Sequence, residues 1–327
     1  MRSLLFFALV LLISAAASSE TRAQPASNGP TVIVVVGAGG EEEFGKSFEK
    51  SAALWIDACA KGGARSIVIG TTPTNGTPDL EQLKQAIASV PKESIEELWL
   101  VLLGHGTFDG QDAKFNLRGP DLTATDLAAW LAPFKRPLAV IDCASSSGPF
   151  LGKLSSPGRV VITATRSGYE QNYARFGEYL SEAIASPAAD LDKDGQTSLL
   201  EAFLMASRRV AEFYESEGRL ATEHALLDDN GDSLGTPAEW FRGIHATKQA
   251  KDGAKLDGFR AHQFCLVRNE QEQKESPALR ARRDELELAV ARLRETKGKL
   301  DEDEYYRQLE KLVLELAKLA DEPLPSH

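Results

Sequence analysis

Leu98-Trp99-Leu100-Val101-Leu102-Leu103 is an unbroken apolar run that stops at Gly104-His105-Gly106. A second run, Leu138-Ala139-Val140-Ile141, stops at Asp142-Cys143 and leads into Ala144-Ser145-Ser146-Ser147-Gly148. Short apolar runs bounded by turn residues read as strands buried on both faces of a parallel sheet. In open α/β sheets, reactive groups gather beyond the carboxyl ends of such strands. If the two strands are neighbours, an imidazole meets a thiol or a hydroxyl at one edge, the minimum equipment of a nucleophilic hydrolase.

The surrounding pattern extends this sheet. Thr31 to Val36, Ser66 to Gly70 and Arg159 to Ala164 are further strand runs, and helices are predicted over 44–60, 79–90 (Asp79 as N-cap) and 121–131. The alternation predicts an α/β fold, a mainly parallel sheet with helices on both faces. After residue 170 the spacing turns helical: Phe176, Tyr179, Leu180, Ala183 and Ile184 mark one helix, and Leu199, Phe203, Ala206, Val210 and Phe213 another. Residues 31–247 read as one α/β domain. Lys248 to Gly258 reads as a polar loop. Residues 276–321 read as a charged helical hairpin bending near Gly298 and Asp301, a surface for a protein partner or self-association.

The chain has 327 residues, 26% charged and 43% hydrophobic, ordinary for a globular protein. A net charge of −11 without a Lys/Arg block argues against a nucleic-acid partner. Residues 1–23 read as a secretory signal: Met1-Arg2, an apolar segment from Leu4 to Ile13, then small residues, with cleavage after Ala17 or Ala23. The protein is therefore expected to be exported, periplasmic or secreted, and free of the membrane once the signal is removed. Three cysteines are too few for a disulfide framework. Cys59 reads as a thiol on a helix face, Cys265 as a core thiol in a short strand, and Cys143 as the one at a strand end.

Gly37-Ala38-Gly39-Gly40 follows a strand, but Glu41-Glu42-Glu43 places negative charge where a pyrophosphate needs a positive helix terminus. It is read as a structural turn, and no organic cofactor is expected. Asp190-Leu191-Asp192-Lys193-Asp194-Gly195-Gln196-Thr197-Ser198-Leu199-Leu200-Glu201 fits an EF-hand calcium loop at every diagnostic position. Asp190, Asp192, Asp194 and Glu201 supply carboxylates, Gln196 its carbonyl, and Ser198 a water-mediated contact. The ion would be structural. A second loop places Asp228, Asn230, Asp232 and Glu239 at positions 1, 3, 5 and 12, with Ser233 where glycine is usual, a partial fit. His224, His245 and His262 read as structural.

The two strand ends resemble those of caspase-like cysteine peptidases, the group of legumains, gingipains and metacaspases. The matching pieces are Leu100 to Gly106 and Val140 to Gly148, and the resemblance spans roughly 31–235. It implies hydrolysis of peptide or protein substrates, with His105 as base, Cys143 as nucleophile and the Gly106 amide at the oxyanion. In legumains and metacaspases the cysteine stands three residues before the glycine of Ser-Gly, which here is Ser145. A two-residue shift moves a side chain by about 6.6 Å, so Cys143 and Ser145 cannot serve the same imidazole. The alternatives are a catalytically degenerate caspase-like binding module and a calcium-stabilised envelope protein.

Overall fold

The computed structural model of the protein describes residues 29–72, 76–251 and 254–320, so the signal read in residues 1–23 lies outside the described residues. In chain order its elements are β1 (Thr31–Val36), α1 (Glu42–Gly62), β2 (Arg65–Ile69), α2 (Asp79–Ser89), β3 (Leu98–Leu103), β4 (Gly106–Phe108), β5 (Ala113–Phe115), β6 (Leu122–Thr123), α3 (Ala124–Leu131), β7 (Leu138–Asp142), α4 (Gly148–Leu154), β8 (Arg159–Thr163), α5 (Phe176–Ala183) and α6 (Leu199–Ser216). They continue as β9 (Leu226–Asp228), β10 (Thr236–Pro237), β11 (Phe241–Arg242), β12 (His245–Ala246), α7 (Phe259–Gln263), α8 (Glu270–Lys274), α9 (Pro277–Glu295) and α10 (Glu302–Ala320).

The main sheet runs β10-β9-β8-β7-β3-β1-β2. The five strands from β8 to β2 are parallel, and β9 and β10 close the far edge antiparallel. The two strands read first in the sequence are therefore neighbours, with Leu102 opposite Asp142. Every residue of β1, β3 and β7 is buried, which explains why those segments are apolar without alternation.

The strand period of two still sorts side chains between faces. Val32, Val34, Trp99, Val101, Ala139 and Ile141 join the core beneath α1, α5 and α6. Ile33, Val35, Leu100, Leu102 and Val140 join the core beneath α2, α3 and α4. Cys143 continues the Ala139–Ile141 row and packs in the first core; Ala144 packs in the second.

A small antiparallel sheet, β4-β5-β6, sits over the carboxyl end of β3 and was not expected. Its strands of two or three residues are too short for an alternating pattern to register. It also shortens the helix expected over 121–131, because Leu122 and Thr123 pair with β5 and α3 starts at Ala124, where the Thr123 hydroxyl accepts from the Asp126 amide. Asp79 is not an N-cap: Pro78 holds that position, and the Asp79 carboxylate binds Arg118 Nε at 2.8 Å. Phe264-Cys265-Leu266 is buried and Val267 half-buried, and the segment is irregular, not a strand.

The C-terminal helices α9 and α10 form the expected hairpin. Ser276 caps α9 by accepting from the Leu279 amide, and Pro277 occupies its first turn. The hairpin is tied to the start of β3 by Arg280–Glu96 at 3.5 Å and, through the preceding segment, by Arg268–Glu97.

Candidate functional site

His105 lies between β3 and β4, where the chain must turn sharply off the sheet. A Cβ at Gly104 would sit 2.9 Å from the Phe115 ring and 3.1 Å from Gly37 Cα, so only glycine fits before the histidine. The half-buried imidazole is walled by the edges of Phe44 and Phe48, each with ring centroids 5.1 Å away, and by Tyr173 at 6.0 Å. Burial pushes its pKa below the ordinary histidine value, partly opposed by a hydrogen bond to the Gly39 backbone. Burial thus biases His105 toward its neutral form.

Ser145 faces Gly106. Its Oγ accepts from the Gly106 amide at 3.2 Å and donates to the Gly106 carbonyl at 3.1 Å. One hydroxyl therefore satisfies both backbone groups of the first residue of β4, as a residue of an added strand would. The amide expected to face an oxyanion is spent on this bond. Backbone contact here is close enough that a Cβ at Gly106 would clash with the Ser145 carbonyl oxygen. Among the described residues, no hydrogen bond joins Ser145 Oγ to the His105 ring.

Cys143 is 4% exposed and packs against α5: a Cβ at Gly177 would lie 2.6 Å from Cys143 Cβ. Burial first, then the charges of Asp142 and Glu223, push its thiol well above the ordinary value. It is a protonated core thiol, not the exposed thiolate that a nucleophile or metal ligand requires. Asp142 is itself buried, and burial pushes its carboxyl up to about 7.

The small-residue loop after Cys143 is also self-satisfied. The Ala144 amide donates to Asp142 Oδ1, the Ser146 amide to the Glu170 carbonyl, and the Gly148 amide to Thr165 Oγ1. Ser146 is held at φ +56°, and its buried Oγ has no partner. Glu170 also receives the His224 ring at 2.6 Å, so His224 orders this loop. Beside the site, exposed Tyr169 packs edge-on against Phe108 of β4 at 5.2 Å.

The acidic loop before α6 is bound up from within. Asp190 Oδ1 accepts from the Lys193 amide and its Oδ2 from the Gly195 amide, while Glu201 and Ser198 form a reciprocal capping box. Oxygens of Asp190, Asp192 and Asp194 lie within 4.8 Å of one another. The Gln196 side-chain amide reaches Asp194 and Glu272. His262 reads as structural in the sequence, and the structure places its Nε2 3.0 Å from Asp192 Oδ2. The fold brings α7 to the loop, a contact across 70 residues that sequence order does not display.

In the second loop, Asp228, Asn230 and Asp232 share one turn, but Glu239 does not come to it. Glu239 is exposed on a short 3₁₀ turn and lines a cavity of about 120 Å³ with Ser207, Glu223 and His224. The residue that bonds to the loop instead is Asp257, whose Oδ1 accepts from the Asp229 amide at 2.9 Å. As one of two aspartates in a polar stretch, it carries no sequence signal.

No family model matches the chain, and no curated protein does either. Among solved structures, the Drosophila initiator caspase Dronc is similar at 14% identity and a TM-score of 0.39, covering 63% of this chain and 80% of that one. A protein of Geobacter sulfurreducens is similar at 13% identity and a TM-score of 0.38, covering 55% and 89%.

Proposed function

We propose that the protein is a caspase-like module that holds a peptide segment without cleaving it. The observation that carries this reading is the commitment of the Ser145 hydroxyl to both backbone groups of Gly106. A serine nucleophile needs a base within hydrogen-bond reach of its oxygen and a free amide to receive the developing oxyanion. Here the hydroxyl proton goes to a carbonyl and the amide goes to the hydroxyl, while Cys143 stays in the core. A peptide has a place to dock: among the described residues β4 pairs with β5 on one side, Ser145 takes the other edge at Gly106, and beyond it Phe108 and Tyr169 offer an aromatic surface. An extended segment adding to that edge would gain main-chain bonds at Phe108, the last residue of β4, and stack on the two rings.

Calcium belongs to the same reading. Asp190, Asp192, Asp194 and Glu201, the Gln196 carbonyl and Ser198 through water form an all-oxygen donor set that suits a hard cation. The ion would fix the start of α6 behind the sheet and take no part in chemistry. A serine-type peptidase is the second reading, favoured by Ser145 standing at the nucleophile position of the resemblance.

One assay separates them. A random peptide library is incubated with the full chain, and binding and cleavage are read by mass spectrometry. The binding module predicts retained peptides of unchanged mass, with retention reduced in Tyr169→Ala and Phe108→Ala. Cleavage products that vanish in His105→Ala and Ser145→Ala would replace the proposal with the peptidase. Neither retention nor cleavage would remove both.

A further inference from the structure

The two acidic loops share one hydrogen-bond scheme, atom for atom. In the first, Asp190 takes the amides of Lys193 and Gly195 at 2.6 and 3.2 Å, Asp192 Oδ1 takes Asp194 N at 3.2 Å, and Asp194 Oδ1 takes Gln196 N at 3.0 Å. In the second, Asp228 takes the amides of Gly231 and Ser233 at 2.9 and 3.0 Å, Asn230 Oδ1 takes Asp232 N at 2.9 Å, and Asp232 Oδ1 takes Leu234 N at 2.8 Å. Lys193 and Gly195 have φ of +65° and +90°; Gly231 and Ser233 have +80° and +66°. Ser233 thus adopts the backbone that glycine adopts in the first loop.

The correspondence extends to the closing carboxylate. Glu201 Oε1 takes the amides of Leu191 and Asp192 at 2.7 and 3.4 Å, and its Oε2 takes the Ser198 hydroxyl at 2.7 Å. In the second loop Asp257 does this: its Oδ1 takes the amides of Asp229 and Asn230 at 2.9 and 3.2 Å, and its Oδ2 takes the Thr236 hydroxyl at 2.6 Å. Ser198 and Thr236 are both ninth in their loops. Asp257 is only 3% exposed.

Two observations outside this scheme call for a cation. Asp232 Oδ2, the counterpart of an Asp194 oxygen, is a buried atom with no hydrogen-bond partner. Among the described residues, no Lys, Arg or His forms an ion pair with Asp228, Asp229, Asp232 or Asp257, although three of these four are buried. Buried carboxylates are paired, take up a proton or coordinate metals, and an ion in the loop would hold these acids in their charged form.

We infer that residues 228–236 form a second calcium site whose closing ligand is Asp257, supplied from the segment ahead of α7, in place of Glu239. This rests on the calcium reading of residues 190–201 and extends it to a loop that sequence spacing fits only in part. The ion would pin the segment leading into α7, while Asp229 caps that helix through the amides of Arg260 and Ala261 at 2.7 and 2.8 Å.

The test is isothermal titration of the chelator-treated full chain with calcium alone. Wild type binds two ions, Glu201→Gln one, Asp257→Asn one, and Glu239→Gln two. One ion in wild type, two in Asp257→Asn, or one in Glu239→Gln would overturn the inference while leaving the first site standing. No ion in wild type would overturn the calcium reading as a whole. Should Asp257→Asn fail to fold, Asp232→Asn must lose one ion and Glu239→Gln must keep both, or the inference fails.

Discussion

Ser145→Ala tests the structural assignment of the serine through stability. The hydroxyl satisfies one donor and one acceptor on Gly106, and Ser145 is 3% exposed. A buried polar group left without its partner costs about 1–3 kcal/mol. Gly106 is half-buried, so water recovers part of that loss, and the two orphaned groups together give a destabilisation of about 2–4 kcal/mol. In a chain of this size each kcal/mol lowers the melting temperature by about 2 °C, so a fall of about 4–8 °C is expected. Differential scanning calorimetry of wild type and Ser145→Ala at fixed calcium reads this directly. An unchanged or raised melting temperature would refute the reasoning, because a side chain kept for catalysis alone carries strain that its removal relieves.

Three other outcomes follow from the same geometry. Native protein should resist thiol-alkylating reagents at all three cysteines, since Cys59, Cys143 and Cys265 are buried and burial raises each thiol; modification of Cys143 at the rate of a free thiol, followed by mass spectrometry, would contradict its core placement. His105 should titrate below 6.5 by NMR; its folded value is depressed, so the unfolded chain binds the extra proton and stability is lost as pH falls below 6.5, a loss that His105→Gln removes. Asp142 works in the opposite sense: its folded carboxyl titrates near 7 against an ordinary 3.8, so its contribution is lost as pH rises through that window, and denaturation of Asp142→Asn should show a flatter pH dependence there.

The sheet was legible because its central strands are buried on both faces and therefore carry unbroken apolar runs. β1, β3, β7 and β8 match the segments read from sequence to within a residue, and the α9–α10 hairpin bends where Gly298 and Asp301 predict. The β4-β5-β6 sheet left no such trace, since Gly106–Phe108 is too short to show a period. At the site, the His-Gly strand end was legible from its flanking glycines. Which residue faces it was not: Cys143 and Ser145 share a pleat parity, and only the end of β7 at Asp142 sends one into the core and the other over Gly106. The first acidic loop was read from one continuous segment. Asp257 was invisible because the side chain that closes the second loop lies 29 residues from Asp228 in the chain.

The most direct measurement of the central claim is intact-mass analysis after exposure to a fluorophosphonate, a reagent that phosphonylates activated serine hydroxyls. With the Ser145 proton held by the Gly106 carbonyl and no hydrogen bond to the His105 ring among the described residues, the account predicts an unmodified mass under conditions that label a serine hydrolase to completion. A stoichiometric adduct mapped to Ser145 and lost in His105→Ala would contradict it and establish an active serine.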